Sequence, residues 1–128
     1  MKKIVSLLLV AVIALSSMLM FNSCASSKIE EGFSKVKATI ESVAYDPDAV
    51  IFNYAEGVLD VSEERIYYKV NYNGKNRFGG YVGNRDDYYR LDLKTNEVSV
   101  TTKTLFDITR ALSETDDVNY CYEKITFK

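Results

Sequence analysis

Ile29, Phe33, Val36, Ile40 and Val43 recur at alternating spacings of four and three residues, which puts them on one stripe and predicts an amphipathic helix from about Lys28 to Ala44. Ser27 with Glu30 three residues on has the form of a capping box. Glu30, Glu31, Lys35, Lys37 and Glu41 take the other side, and the run is too short for a coiled-coil seam, so the stripe is expected to lie on a sheet. Asp46-Pro47 ends the helix, because proline lacks the donor that a continuing helix needs and disfavours α geometry before it.

Beyond Pro47 the pattern turns to β. Val50 to Tyr54 predicts a short strand, and Gly57 to Glu64 a turn-rich connection that has room for another. Arg65 to Tyr72 alternates, with Ile66, Tyr68, Val70 and Tyr72 on one face and Tyr67, Lys69 and Asn71 on the other. Asn73-Gly74 signals a tight hairpin into a partner strand from Phe78 to Gly83. Asn84 to Asp87 reads as a turn, and Tyr88 to Leu93 as a strand with Tyr89, Leu91 and Leu93 on one side. Thr95-Asn96 closes a hairpin into Val98 to Thr101. Thr104 and Asp107 cap a shorter helix with Leu105, Ile108 and Leu112 on one face, and Val118 to Phe127 is the last strand. The expected fold is α+β: an N-terminal amphipathic helix packed on a curved antiparallel meander of four to six strands, with a second short helix near the C-terminus.

The first residues have a different pattern. Lys2 and Lys3 precede an uncharged apolar run from Ile4 to Phe21, then Asn22, Ser23 and Cys24, the order of a secretory signal. The run is interrupted by serines and falls short of the roughly 20 apolar residues a membrane span needs, so a retained anchor is the second reading. Phe21-Asn22-Ser23-Cys24 resembles the lipobox of bacterial lipoproteins, in which a small residue before the cysteine permits diacylglycerol attachment to the thiol and cleavage on its N-terminal side. That resemblance implies lipid on Cys24, a membrane as partner through that lipid, and, with Ala25 next, the outer membrane over the inner. The expected organisation is a signal peptide at 1–23, a tether at 24–28 and a single domain at 29–128.

Charge and composition narrow the function. Of 16 Lys and Arg and 18 Asp and Glu, residues 1–23 hold two bases and no acid, which leaves 14 against 18 and a net charge near −4. No basic face for nucleic acid is visible. Lipid on Cys24 leaves Cys121 without a partner, in an alternating strand where a small buried apolar role is expected.

Asp46-Pro47-Asp48, Phe52, and the run Lys75-Asn76-Arg77-Phe78-Gly79-Gly80-Tyr81-Val82-Gly83 are similar to a family of small exported bacterial proteins in which a DPxSAxF segment is followed by NAKNSFGGYxG. The likeness runs from about Ile40 to Asp92; here Asp48-Ala49-Val50 replaces Asp-Ser-Ala, Gly74 stands in place of alanine, and the cysteine usual before the motif is missing at Tyr68-Lys69-Val70. It implies an exported domain and assigns no activity, cofactor or ligand.

Chemistry is sparse. The chain has no histidine, which removes the commonest general base and metal ligand. Ser34 and Lys37 have the spacing of a Ser-Lys pair, with nothing around them to complete a site. The pairs Asp46 and Asp48, Asp86 and Asp87, and Asp116 and Asp117 lack calcium-loop spacing and read as turn formers. No catalytic residue, cofactor or metal is expected. Ten tyrosines and no tryptophan draw attention to the sheet. An exposed row of Tyr67, Tyr81 and Tyr88 with Arg90, beside the bend at Gly79 and Gly80, is the candidate surface for a protein or glycan partner. The first reading of the same residues is structural, as cross-strand pairs and a bend. The expected function is a non-enzymatic, membrane-tethered binding or envelope-support domain, with an inhibitor or accessory factor of an envelope hydrolase as the alternative and a small enzyme third.

Overall fold

The computed structural model describes residues 25–127; the expected signal segment and Cys24, where lipid is expected, lie outside the described residues. Helix α1 (residues 25–43) is followed by a 3-10 turn at Pro47–Ala49, then β1 (Ile51–Asp60), β2 (Arg65–Asn73), β3 (Arg85–Asp92), β4 (Val98–Val100), α2 (Lys103–Ser113) and β5 (Tyr120–Thr126). The five strands form one antiparallel sheet in the order β4-β3-β2-β1-β5, an open α+β arrangement with α1 on one face and α2 on the other.

Four of the five residues in the α1 stripe dock as their spacing predicts: Ile29, Phe33, Val36 and Ile40 are buried against Ala55, Ile66, Tyr68, Val70 and Leu91, whereas Val43, at the last residue of the helix, is exposed. The helix begins further upstream than the capping pattern suggests. Residues 25–27, expected as a tether, are helical, and Ala25 is buried in the core.

Two glycines let helix and sheet approach closely. A Cβ on Gly57 would stand 2.3 Å from Ile29 Cγ2, and one on Gly32 would stand 2.5 Å from the Tyr68 hydroxyl. That hydroxyl, fully buried, donates to the Ile29 carbonyl of α1 at 2.7 Å. The ring thus spans the gap between layers and has its polar end satisfied there, as a buried tyrosine requires.

The expected connection at Gly57 to Glu64 shrinks to the turn at 61–64, because β1 runs unbroken through Gly57 to Asp60 and pairs with both β2 and β5. Gly57 is there to make room for α1, not to turn the chain. A bulge at Asn53 places Phe52 on the α1 face and Tyr54 on the other. Phe52 then packs edge-on against Phe33 at 6.0 Å.

Further expectations fail, around the hairpin and on α2. Phe78 to Gly83 is not a strand; β2 pairs with β3, Tyr72 opposite Arg85, so Arg85 to Asp87 are strand residues and not a turn. α2 is capped by Thr102, whose side chain accepts from the Leu105 N–H at 3.2 Å, and it buries Phe106 and Thr109 over Val58 and Tyr67. Leu105, Ile108 and Leu112 are exposed. Cys121 is half-buried against the core, and burial pushes its thiol pKa up.

Replacing Gly57→Ala is expected to cost about 1–3 kcal/mol through overpacking against Ile29, read as a lower urea midpoint at unchanged slope; unchanged stability would remove this contact from the account. Burial holds the Tyr68 hydroxyl protonated by raising its pKa. Its contribution is therefore complete below the unfolded tyrosine value of about 10 and is lost as pH rises above it. Tyr68→Phe is expected to destabilise by about 1 kcal/mol at neutral pH and to flatten the alkaline loss of stability, which a pH series of urea melts measures.

Candidate functional site

The eleven-residue stretch from Gly74 to Asn84 projects from the end of β2 and β3 and holds most of the glycine-rich motif. It carries Lys75 and Arg77 and no acid. Its apolar side chains face solvent, with Phe78 82%, Val82 58% and Tyr81 49% exposed.

The loop is nonetheless tightly specified. Lys75 and Tyr81 form a bridge, the Asn76 N–H donates to the Gly80 carbonyl at 2.9 Å, and the Asn76 side-chain oxygen accepts from the N–H groups of Phe78 at 2.9 Å and Gly80 at 3.2 Å. Gly79, at φ +80°, takes the left-handed conformation that closes this turn. At the base, the Val82 N–H donates to the Gly74 carbonyl and the Gly83 N–H to the Asn73 side chain. The Lys75 ammonium lies 5.3 Å from the Tyr81 ring and the Arg77 guanidinium 4.9 Å from the Phe78 ring. A fixed turn that shows aromatic faces and two cations is suited to stacking on a planar or sugar surface and to pairing with anionic groups.

Below the loop, the half of the sheet that α2 leaves uncovered is polar. The Lys69 ammonium lies between Glu56 at 3.5 Å and Asp86 at 3.9 Å. Burial works against that charge, but Asp86 and Glu56 outweigh it and raise the lysine pKa. Lys69 and Lys124 sit over the Tyr54 ring at 5.8 and 5.0 Å, and Asn53 bridges Asn71 and Asn84, tying the strip to the loop. On the α1 side of the loop base, Tyr72 donates to Asp87 at 2.6 Å and accepts from Arg85. Burial and that bond to Asp87 raise the Tyr72 pKa, so the neutral hydroxyl persists into more alkaline solution than an ordinary tyrosine's.

The expected exposed tyrosine row does not form. Tyr67 is buried under α2 with Val58 and Phe106, because the second helix docks on this face. Tyr88 is half-buried, its ring 5.7 Å from Phe106, while Arg90 pairs opposite Tyr67 in the strand register. Tyr81, Gly79 and Gly80 are brought together, on the loop. The bend at Gly79 is a turn of the loop itself: no atom outside its chain neighbours lies within 4 Å of where its Cβ would be, so neither α1 nor the ring of Tyr68 or Tyr72 approaches it. Sequence reasoning missed Phe78 as a solvent-facing residue, since an aromatic before Gly-Gly reads as the start of a strand. Asn76 was missed too; the Asn-x-x-Gly spacing, typical of a turn that bonds its own backbone, is the signal that points to it. Among the described residues, no group of three or more His, Cys, Asp or Glu stands together as a metal site.

Asn76→Ala removes both side-chain acceptor bonds and is expected to loosen the loop without unfolding the sheet, read as faster proteolytic cleavage between Lys75 and Arg77 at a nearly unchanged urea midpoint. No family model, curated protein or solved structure matches the chain.

Proposed function

We propose that this chain is an exported, non-enzymatic binding domain, anchored by lipid on Cys24 to a membrane of the cell envelope, the outer one over the inner, and presenting the 74–84 loop to a protein or glycan partner. One observation carries the reading. Ala25 sits at the end of the sheet where β1 passes into β2, beside Leu59, Val61 and Glu64, whereas the loop springs from the opposite end of β2. The nine residues of β2 separate the two ends by about 30 Å. A chain held at residue 24 would keep the loop facing away from its own bilayer.

The chemistry of the loop supports a recognition role: exposed aromatics ordered by internal hydrogen bonds lose little freedom on binding. The second reading, an inhibitor or accessory factor of an envelope hydrolase, is favoured by the shape of the same loop, since a rigid aromatic tip suits insertion into another protein's cleft.

Metabolic labelling with a clickable fatty acid is expected to mark the native chain and not Cys24→Ser; equal labelling of both removes the anchor. Phe78→Ser combined with Tyr81→Ser, both at exposed positions, is expected to abolish co-sedimentation with purified cell-wall glycan or crosslinking to an envelope protein, whichever the native chain shows, while the domain stays folded. Binding unaffected by this pair would move the site elsewhere.

A further inference from the structure

A cavity of ≈ 520 Å³ opens between the first turns of α1 and the ends of the strands nearest Ala25. Its size falls within the range of about 300–1,000 Å³ that receives small ligands. The walls are Ala25, Leu59, Val61, Leu91 and Leu93, with Lys28, Lys35, Glu31, Glu64 and Asn96 lining it as well. Two lysines balance two acids, so the lining has no net charge to draw an ionic ligand, and its apolar walls suit an uncharged aliphatic one.

The position of the cavity identifies that aliphatic group. Ala25 is buried and forms part of the wall, and the residue before it is Cys24, whose Cα lies one peptide link, about 3.8 Å, away. Resting on the acylation of Cys24 proposed above, the geometry points to this cavity as the seat of one acyl chain of the protein's own anchor. A methylene leaves water equally well for the cavity or for the bilayer, so the chain exchanges between them. A second chain stays in the membrane. Because durable anchoring takes two membrane-binding signals and a single chain binds only reversibly, drawing one chain into the domain converts a permanent anchor into a releasable one.

The test uses the full chain in a bacterium that processes it, fed a palmitate analogue carrying a diazirine and irradiated. The expected adducts lie within Leu59–Glu64 and Leu91–Asn96, mapped by mass spectrometry. Leu93→Trp and, separately, Val61→Trp fill the cavity from half-buried positions and are expected to lower those adducts several-fold while label on Cys24 is unchanged. Label on Cys24 with adducts only to phospholipid or to residues outside the cavity lining overturns the cavity as a seat and leaves the anchor standing. No label on Cys24 overturns both.

Discussion

The contact on which the rest of the structure depends is the close approach of α1 to the sheet at Gly32, Gly57 and Tyr68. Two side chains are absent where the layers meet, and one long side chain reaches across. Ile29 settles into the space over Gly57, and the Tyr68 hydroxyl finds an acceptor in the helix backbone. A hydroxyl buried without that carbonyl would cost about 1–3 kcal/mol, so the bond selects one axial position of the helix as well as one distance. Apolar packing alone would allow α1 to slide by a turn.

That fixed position has consequences at both ends of the molecule. It brings Ala25 to the end of β1 and the start of β2, and it leaves the upper edge of the sheet, where Phe33, Tyr72 and Phe127 gather around Phe52, as a firm base for the 74–84 loop. The loop needs such a base because it has no core of its own. Its order comes from Asn76 and from the bonds at Asn73 and Gly74, while its aromatic side chains remain in water. Exposed apolar groups on a braced turn with cations beside them, together with the anchor proposed at the far end, are what the proposed role of presenting a surface rests on.

How much of this was legible in the sequence depended on whether a residue's role is local. The α1 stripe and the alternation of β2 were legible because burial repeats with the period of the element itself, as Ile66, Val70 and Tyr72 illustrate. Gly57 was misread because a glycine that yields space to a helix twenty-eight residues away in sequence looks the same as one that turns the chain. The α2 face was misread for a related reason: Leu105, Ile108 and Leu112 make the longer apolar stripe, yet the short β4 and its connection deliver the helix with Phe106 and Thr109 inward. Thr109 tolerates that burial by donating to the Leu105 carbonyl at 2.8 Å. Tyr67, expected on a binding face, is covered as a result. On the loop, Gly79, Gly80 and Tyr81 are neighbours by sequence alone, and Phe78 was assigned to a strand that the described residues do not contain.

The central claim is an orientation: one end of the sheet at the membrane and the loop at the other. Depth measurement of the lipidated chain in vesicles tests it directly, with a fluorophore placed at Ser62→Cys or at Phe78→Cys in a Cys121→Ala background and a quencher carried on lipid headgroups. The account predicts strong quenching at position 62, in the turn beside Ala25, and little at position 78, roughly one strand length of about 30 Å further out. Equal quenching at the two positions, or stronger quenching at 78, would contradict it.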